Sequence, residues 1–289
     1  MLDSFRAEWQ KTGGNRWSTG LTVWIFPAGA VGVFALLTLA VLLGLGPGQL
    51  HLDEIRWTDQ MRMAWQIAPA SVFGQMLLAA FSATIFAGEA VWNTWKNIVP
   101  RQGRSRLILA KFAVASAFLL IAFAITSLVA GLGSLILSGI LGLPVVPAID
   151  AASLGRFAVD YSVNAAISAV SLLLMVAYAM VASLLTRSIL FGVIGGVAAA
   201  TLDFGSSTLL SVAAQLSGSP NVLRLVQIMP SYNVSNLRAL AAQGTSLAIP
   251  AADGVLIQNS GLASVLLLAG WLGGLLALAI LMFKRRDVA

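Results

Sequence analysis

One stretch of 23 residues, EAVWNTWKNIVPRQGRSRLILAK from Glu89 to Lys111, gathers a carboxylate, two lysines, three arginines and two tryptophans between long apolar runs. These side chains are suited to recognition, because cations and aromatic anchors grip a partner surface or lipid headgroups. Covalent chemistry finds little support elsewhere. With no cysteine, disulfides, thiolate metal sites and cysteine nucleophiles are excluded. His51 is the only histidine, so an HExxH zinc site lacks its second ligand and a serine–histidine–acid triad has no other histidine to use. We therefore assign no catalytic and no metal-binding residue. The remaining candidate is Asp203, about 14 residues into an apolar run and so roughly 21 Å from its start. An acid at that depth is a functional candidate by default, lining a translocation path. The competing reading ends the helix near Asp203, because Gly205, Ser206 and Ser207 follow it.

The elements that position these residues are membrane helices. The chain has 289 residues, is 58% hydrophobic and only 10% charged, and has a mean hydropathy of +0.90. Six apolar runs can each cross a bilayer, which takes about 20 residues: Leu21 to Leu45, Trp65 to Ala87, Leu107 to Leu137, Asn164 to Leu185, Ile189 to Leu210 and Leu262 to Phe283. The first is too long for the apolar region of a cleavable signal peptide and is read as a retained span. The fold class is thus an all-α membrane protein, a single domain over residues 1–289 with six transmembrane helices.

An even number of spans puts both termini on one side. That side carries twelve lysines and arginines and the other five (Arg56, Arg62, Arg156, Arg224 and Arg238), so the termini and the Glu89–Lys111 segment are expected in the cytoplasm of a cell whose inner membrane holds the chain. The net charge of +6 thereby records topology, and no nucleic-acid partner is expected. Residues 1–20 place Leu2, Phe5 and Trp9 at helical spacing, with Glu8 and Lys11 off that stripe. This suits an amphipathic helix on the inner membrane surface. Residues 211–261, with Pro230 and Pro250, read as an outer connection of short helices. GVIGG (192–196) and GWLGG (270–274) offer small faces for close helix packing or a dimer contact.

Within residues 88–106, a helix over Val91–Val99 puts Trp92, Trp95 and Val99 on one stripe with Ile98 beside it. Pro100 and Gly103 end it, and Ser105 can cap the next helix. Periodicity alone leaves two partners open, a protein cleft or the lipid headgroups. A glutamate closing span two, a short helix, a proline, arginines and a lysine opening span three resemble the permease of a type-2 ATP-binding-cassette exporter. The N-terminal helix, the six spans, the long outer connection and the FKRRDVA ending are similar as well.

That resemblance implies that Val91–Val99 is a coupling helix docking in a cleft of an ATPase. Glu89, Trp92, Trp95, Lys96, Ile98, Val99, Pro100, Arg101 and Arg104 are then the contact residues, with Arg106 an alternative to Arg104 for the family's arginine. It also implies a homodimer with a second copy. The chain contains no GxxxxGK[ST] loop, and LSGSP (216–220) lies outside any nucleotide-binding fold. ATP and magnesium are therefore expected in a separate ABC ATPase subunit, with no cofactor bound here. From another class, a membrane scaffold or sensor whose basic loop binds lipid or a partner fits the same composition.

Overall fold

A computed structural model describes residues 2–46, 55–92, 103–250 and 256–285. Twelve helices are numbered among these residues, and the only strands are two short ones, β1 (Ile249–Pro250) and β2 (Leu256–Ile257). Five helices are long and apolar enough to cross a membrane: α2 (Arg16–Leu42), α5 (Val72–Val91), α6 (Arg104–Leu141), α7 (Ala151–Thr186) and α12 (Gly261–Lys284). The pair α8 (Ile189–Phe204) and α9 (Ser206–Ser217), bent by 60° at Gly205, supplies the sixth if counted as one span. The chain is an all-α integral membrane protein.

The bounds differ from the sequence reading where polar punctuation outweighs hydropathy. Trp65 begins no span. Residues Trp57–Ala64 (α3) and Ile67–Ala70 (α4) form short helices, and α5 starts only at Val72, where the Ser71 side chain accepts from the Gly74 amide at 3.0 Å. The α4 backbone returns so close that a Cβ on Gly74 would lie 2.4 Å from the Ala68 carbonyl oxygen, which explains a glycine there. Helix α7 begins 13 residues before Asn164, because Asp150 and Ser153 close a capping box at its start. At 36 residues it is about 54 Å long, well beyond a hydrocarbon core of about 30 Å.

Helices α5, α6 and α7 form the centre, packing Phe81, Phe86, Leu107, Phe118, Phe123, Met175 and Met180 together. Helix α8 lies against α7 through the GVIGG face: a Cβ on Gly195 or Gly196 would approach Ala182 or Ala179 to 2.9 Å. The GWLGG face of α12 differs, since Cβ atoms at Gly270, Gly273 and Gly274 would meet nothing within 4 Å. At the end away from the termini, α10 (Pro220–Arg224), a 3-10 turn (Leu225–Ile228), α11 (Pro230–Gln243) and the β1–β2 pair make a folded cap. Buried Asn236 ties it together, donating to the Asn259 carbonyl and to Ser264 at 2.9 Å each and accepting from the Leu247 amide at 2.7 Å.

Helix α1 (Leu2–Gly14) forms where the amphipathic helix was expected, and one face of it packs on protein. Phe5 and Trp9 pack on the core, with Trp9 4.4 Å from the Phe118 ring, while Leu2 is exposed and the buried line runs through Ser4, Glu8 and Thr12.

Candidate functional site

The N-terminal helix, the end of α5 and the start of α6 meet in a cluster of charges, with Glu8, Glu89 and Lys111 buried and Lys11 at its exposed edge. Glu89 sits in the last turn of α5 and is 2% exposed; Lys111 lies two turns into α6 and is 1% exposed. The Lys111 ammonium donates to Glu89 Oε1 and to Glu8 Oε2, each at 2.8 Å, and to the Ile85 carbonyl at 3.3 Å. Lys11 also donates to Glu89 Oε1. Glu8 and Lys11 share a face because they are three residues apart on α1. Among the described residues the two acids are matched by two bases, and pairing of this kind is how charges survive burial. A cavity of about 50 Å³ beside them, reached by Asn15, Thr84 and Trp92, has room for one or two waters. The three helices are thus fastened at the point where the chain leaves α5 for the segment before α6.

Trp92 caps the C-terminus of α5, is 60% exposed, and lays its ring over Gly88. Its partners in the expected stripe, Trp95, Ile98 and Val99, lie outside the described residues, as do Lys96, Pro100, Arg101 and most of the Val91–Val99 helix. Arg104 opens α6 and donates to the Lys284 carbonyl at 2.8 Å. A cation at the carbonyl end of α12 is well placed, and the contact joins the end of α12 to this site. Arg106 is exposed. Glu8 and Lys11 were missed as site residues because helical spacing placed them off the apolar stripe. The signal that points to them is Lys111 itself, a cation inside an apolar run that needs acidic partners.

Asp203 stands one residue before the end of α8, so the bend does fall where the glycine and serines follow it. The carboxylate is held rather than free: Oδ1 accepts from the Ser231 amide at 3.0 Å, and Oδ2 accepts from the Tyr178 hydroxyl at 3.2 Å. Ser231 Oγ donates to the Asp203 carbonyl at 2.6 Å. An acid at the first turn of α11 also complements that helix's positive end. Asp203 and Arg238 both line a cavity of about 30 Å³ without forming an ion pair.

Among the described residues no group of three His, Asp or Glu side chains comes together to hold a metal. Fold and site thus define a polytopic helical membrane protein with a charged junction that joins its N-terminal helix to the facing ends of two central spans. Residues 5–199, about two thirds of the chain, match the family model described as ABC-2 family transporter protein, and the chain belongs to that family. It is a membrane permease of an ABC transporter. No curated protein matches it.

Proposed function

We propose that this chain is the permease subunit of an ATP-driven exporter, acting as a homodimer with a separate ABC ATPase that binds ATP and magnesium. The observation that carries the reading is the cluster Glu8–Lys111–Glu89–Lys11. It fastens three helices where the Glu89–Lys111 segment departs, so a displacement of that segment is transmitted to the spans instead of being absorbed by a loose joint. The ATPase grips Trp92, Trp95, Ile98 and Val99, with Lys96, Arg101 and Arg104 at the rim. The termini lie in the cytoplasm, and the chain itself performs no covalent chemistry. Asp203 is assigned to the edge of the translocation path, where it also ties the α8 bend to α11. The test is co-purification from membranes of an ATPase whose turnover depends on this chain. A chain that purifies alone and stimulates no ATPase favours the scaffold reading.

A further inference from the structure

A cavity of about 440 Å³ lies between α2, α3, α4, α5 and α6. Its walls are almost wholly apolar, and several of them (Val33, Met63, Ile67 and Phe73) are more than half exposed on the surface of a membrane-spanning chain, so the cavity opens toward the bilayer. Among the described residues three polar side chains reach it. Ser71 is occupied as the cap of α5 and Thr126 donates to the Ala122 carbonyl, but the half-buried Gln60 amide makes no hydrogen bond to any described residue.

Three kinds of occupant can be weighed. Water needs about two to four polar partners to settle, and the cavity offers one unspent amide. A helix from a second copy is about 10 Å across with its side chains, too wide for a recess of this volume. A hydrocarbon chain fits: the volume is about three times the roughly 150 Å³ that admits benzene, or on the order of 18 carbon atoms. The surrounding bilayer supplies such chains, and in lipid no hydrophobic force drives the helices together to close the gap. A seated tail restores the dispersion contacts that an empty wall lacks.

We propose that this cavity is a binding site for one acyl chain of a bilayer phospholipid, with Gln60 donating to the polar ester end. The site depends on the membrane-spanning fold and not on the transport reading. It wedges α3 and α4 against α2, so the lipid forms part of the wall on this side of the bundle.

The test uses the full chain in phosphatidylcholine vesicles containing a small fraction of phosphatidylcholine with a diazirine in its acyl chain. After illumination, crosslinks are mapped by peptide mass spectrometry. Labelling is expected to concentrate on residues 25–37 and 60–77. A Cβ at Gly29 meets nothing within 4 Å, so Gly29→Trp fills the cavity without a backbone clash. Displacing even two methylenes costs about tenfold in affinity, so labelling there should fall about tenfold while labelling of the exposed α12 face stays constant. Should Gly29→Trp fail to insert, Ala30→Leu carries the same expectation in a smaller step. Labelling as strong on α12 as in the cavity, or undiminished in the filled variant, would overturn the site. So would a disulfide between Gly29→Cys copies in place of lipid labelling, because it would put a second protomer there.

Discussion

Lys111 is the residue on which the charged junction turns, because among the described residues it alone contacts both acids, Glu8 and Glu89. Removing one member of a buried pair costs about 3–5 kcal/mol, since the partners keep an uncompensated charge. Lys111→Met should therefore destabilise the chain by about that amount, read as a fall in thermal midpoint in detergent. Adding Glu89→Gln should recover part of the loss, because the two sites are coupled; a double variant as unstable as the two losses added would deny the coupling. Asp203 allows a second prediction at this scale. Asp203→Ala orphans the Ser231 amide and the Tyr178 hydroxyl and should cost about 1–3 kcal/mol. Asp203→Asn keeps an acceptor, so expression and assembly should persist while the tolerance for transported substrates changes. Unchanged transport across several substrates would remove Asp203 from the path and leave it as a tie alone.

The two glycine motifs separate at the level of elements. GVIGG is spent inside the chain, and Gly196→Leu would drive a side chain into Ala179, whose Cα would already lie 2.9 Å from a Cβ. Overpacking of this kind costs about 1–3 kcal/mol or more, and it should appear as lost folded yield on gel filtration. Gly273→Leu on the open α12 face should fold normally as a single chain; equal damage from both would mean that α12 is also packed internally. This distinction was illegible in the sequence, because GVIGG and GWLGG have the same spacing and differ only in what faces them. The long spans were legible from hydropathy alone, since each buries or presents an apolar surface over its whole length. The breaks were less so. Helix α4 was merged into span two because Trp65, Ile67 and Ala68 are apolar, and only the Pro69 and Ser71 punctuation separates it from α5. The first turns of α7 were lost because a helix reaching beyond the lipid needs no apolar run. In the site, Glu89 and Lys111 stood out as charges beside apolar segments, whereas Glu8 and Lys11 are exposed residues in any isolated helix, and only the docking of α1 buries Glu8 and brings Lys11 to Glu89.

For the whole molecule, α1, the end of α5, the start of α6 and the end of α12 meet at one end, while the α11 cap closes the other. The twelve-to-five distribution of basic residues predicts an orientation in the cell with both termini in the cytoplasm. Without native cysteines, single ones can be introduced free of background. A cysteine at Gln243 should react with an impermeant reagent in intact cells, and one at Gln102 should react only after permeabilisation. The reverse pattern would invert the topology. The central claim is that the Glu89–Lys111 segment couples this permease to a separate ATPase. Its most direct test is the pair Trp92→Ala with Trp95→Ala, reconstituted with that ATPase in membranes. Truncating desolvated aromatic anchors costs about 2 kcal/mol or more at an interface. The double variant should insert and dimerise normally, yet bind the ATPase more weakly or hydrolyse ATP without moving substrate. Wild-type ATPase binding together with wild-type coupled transport would contradict the assignment.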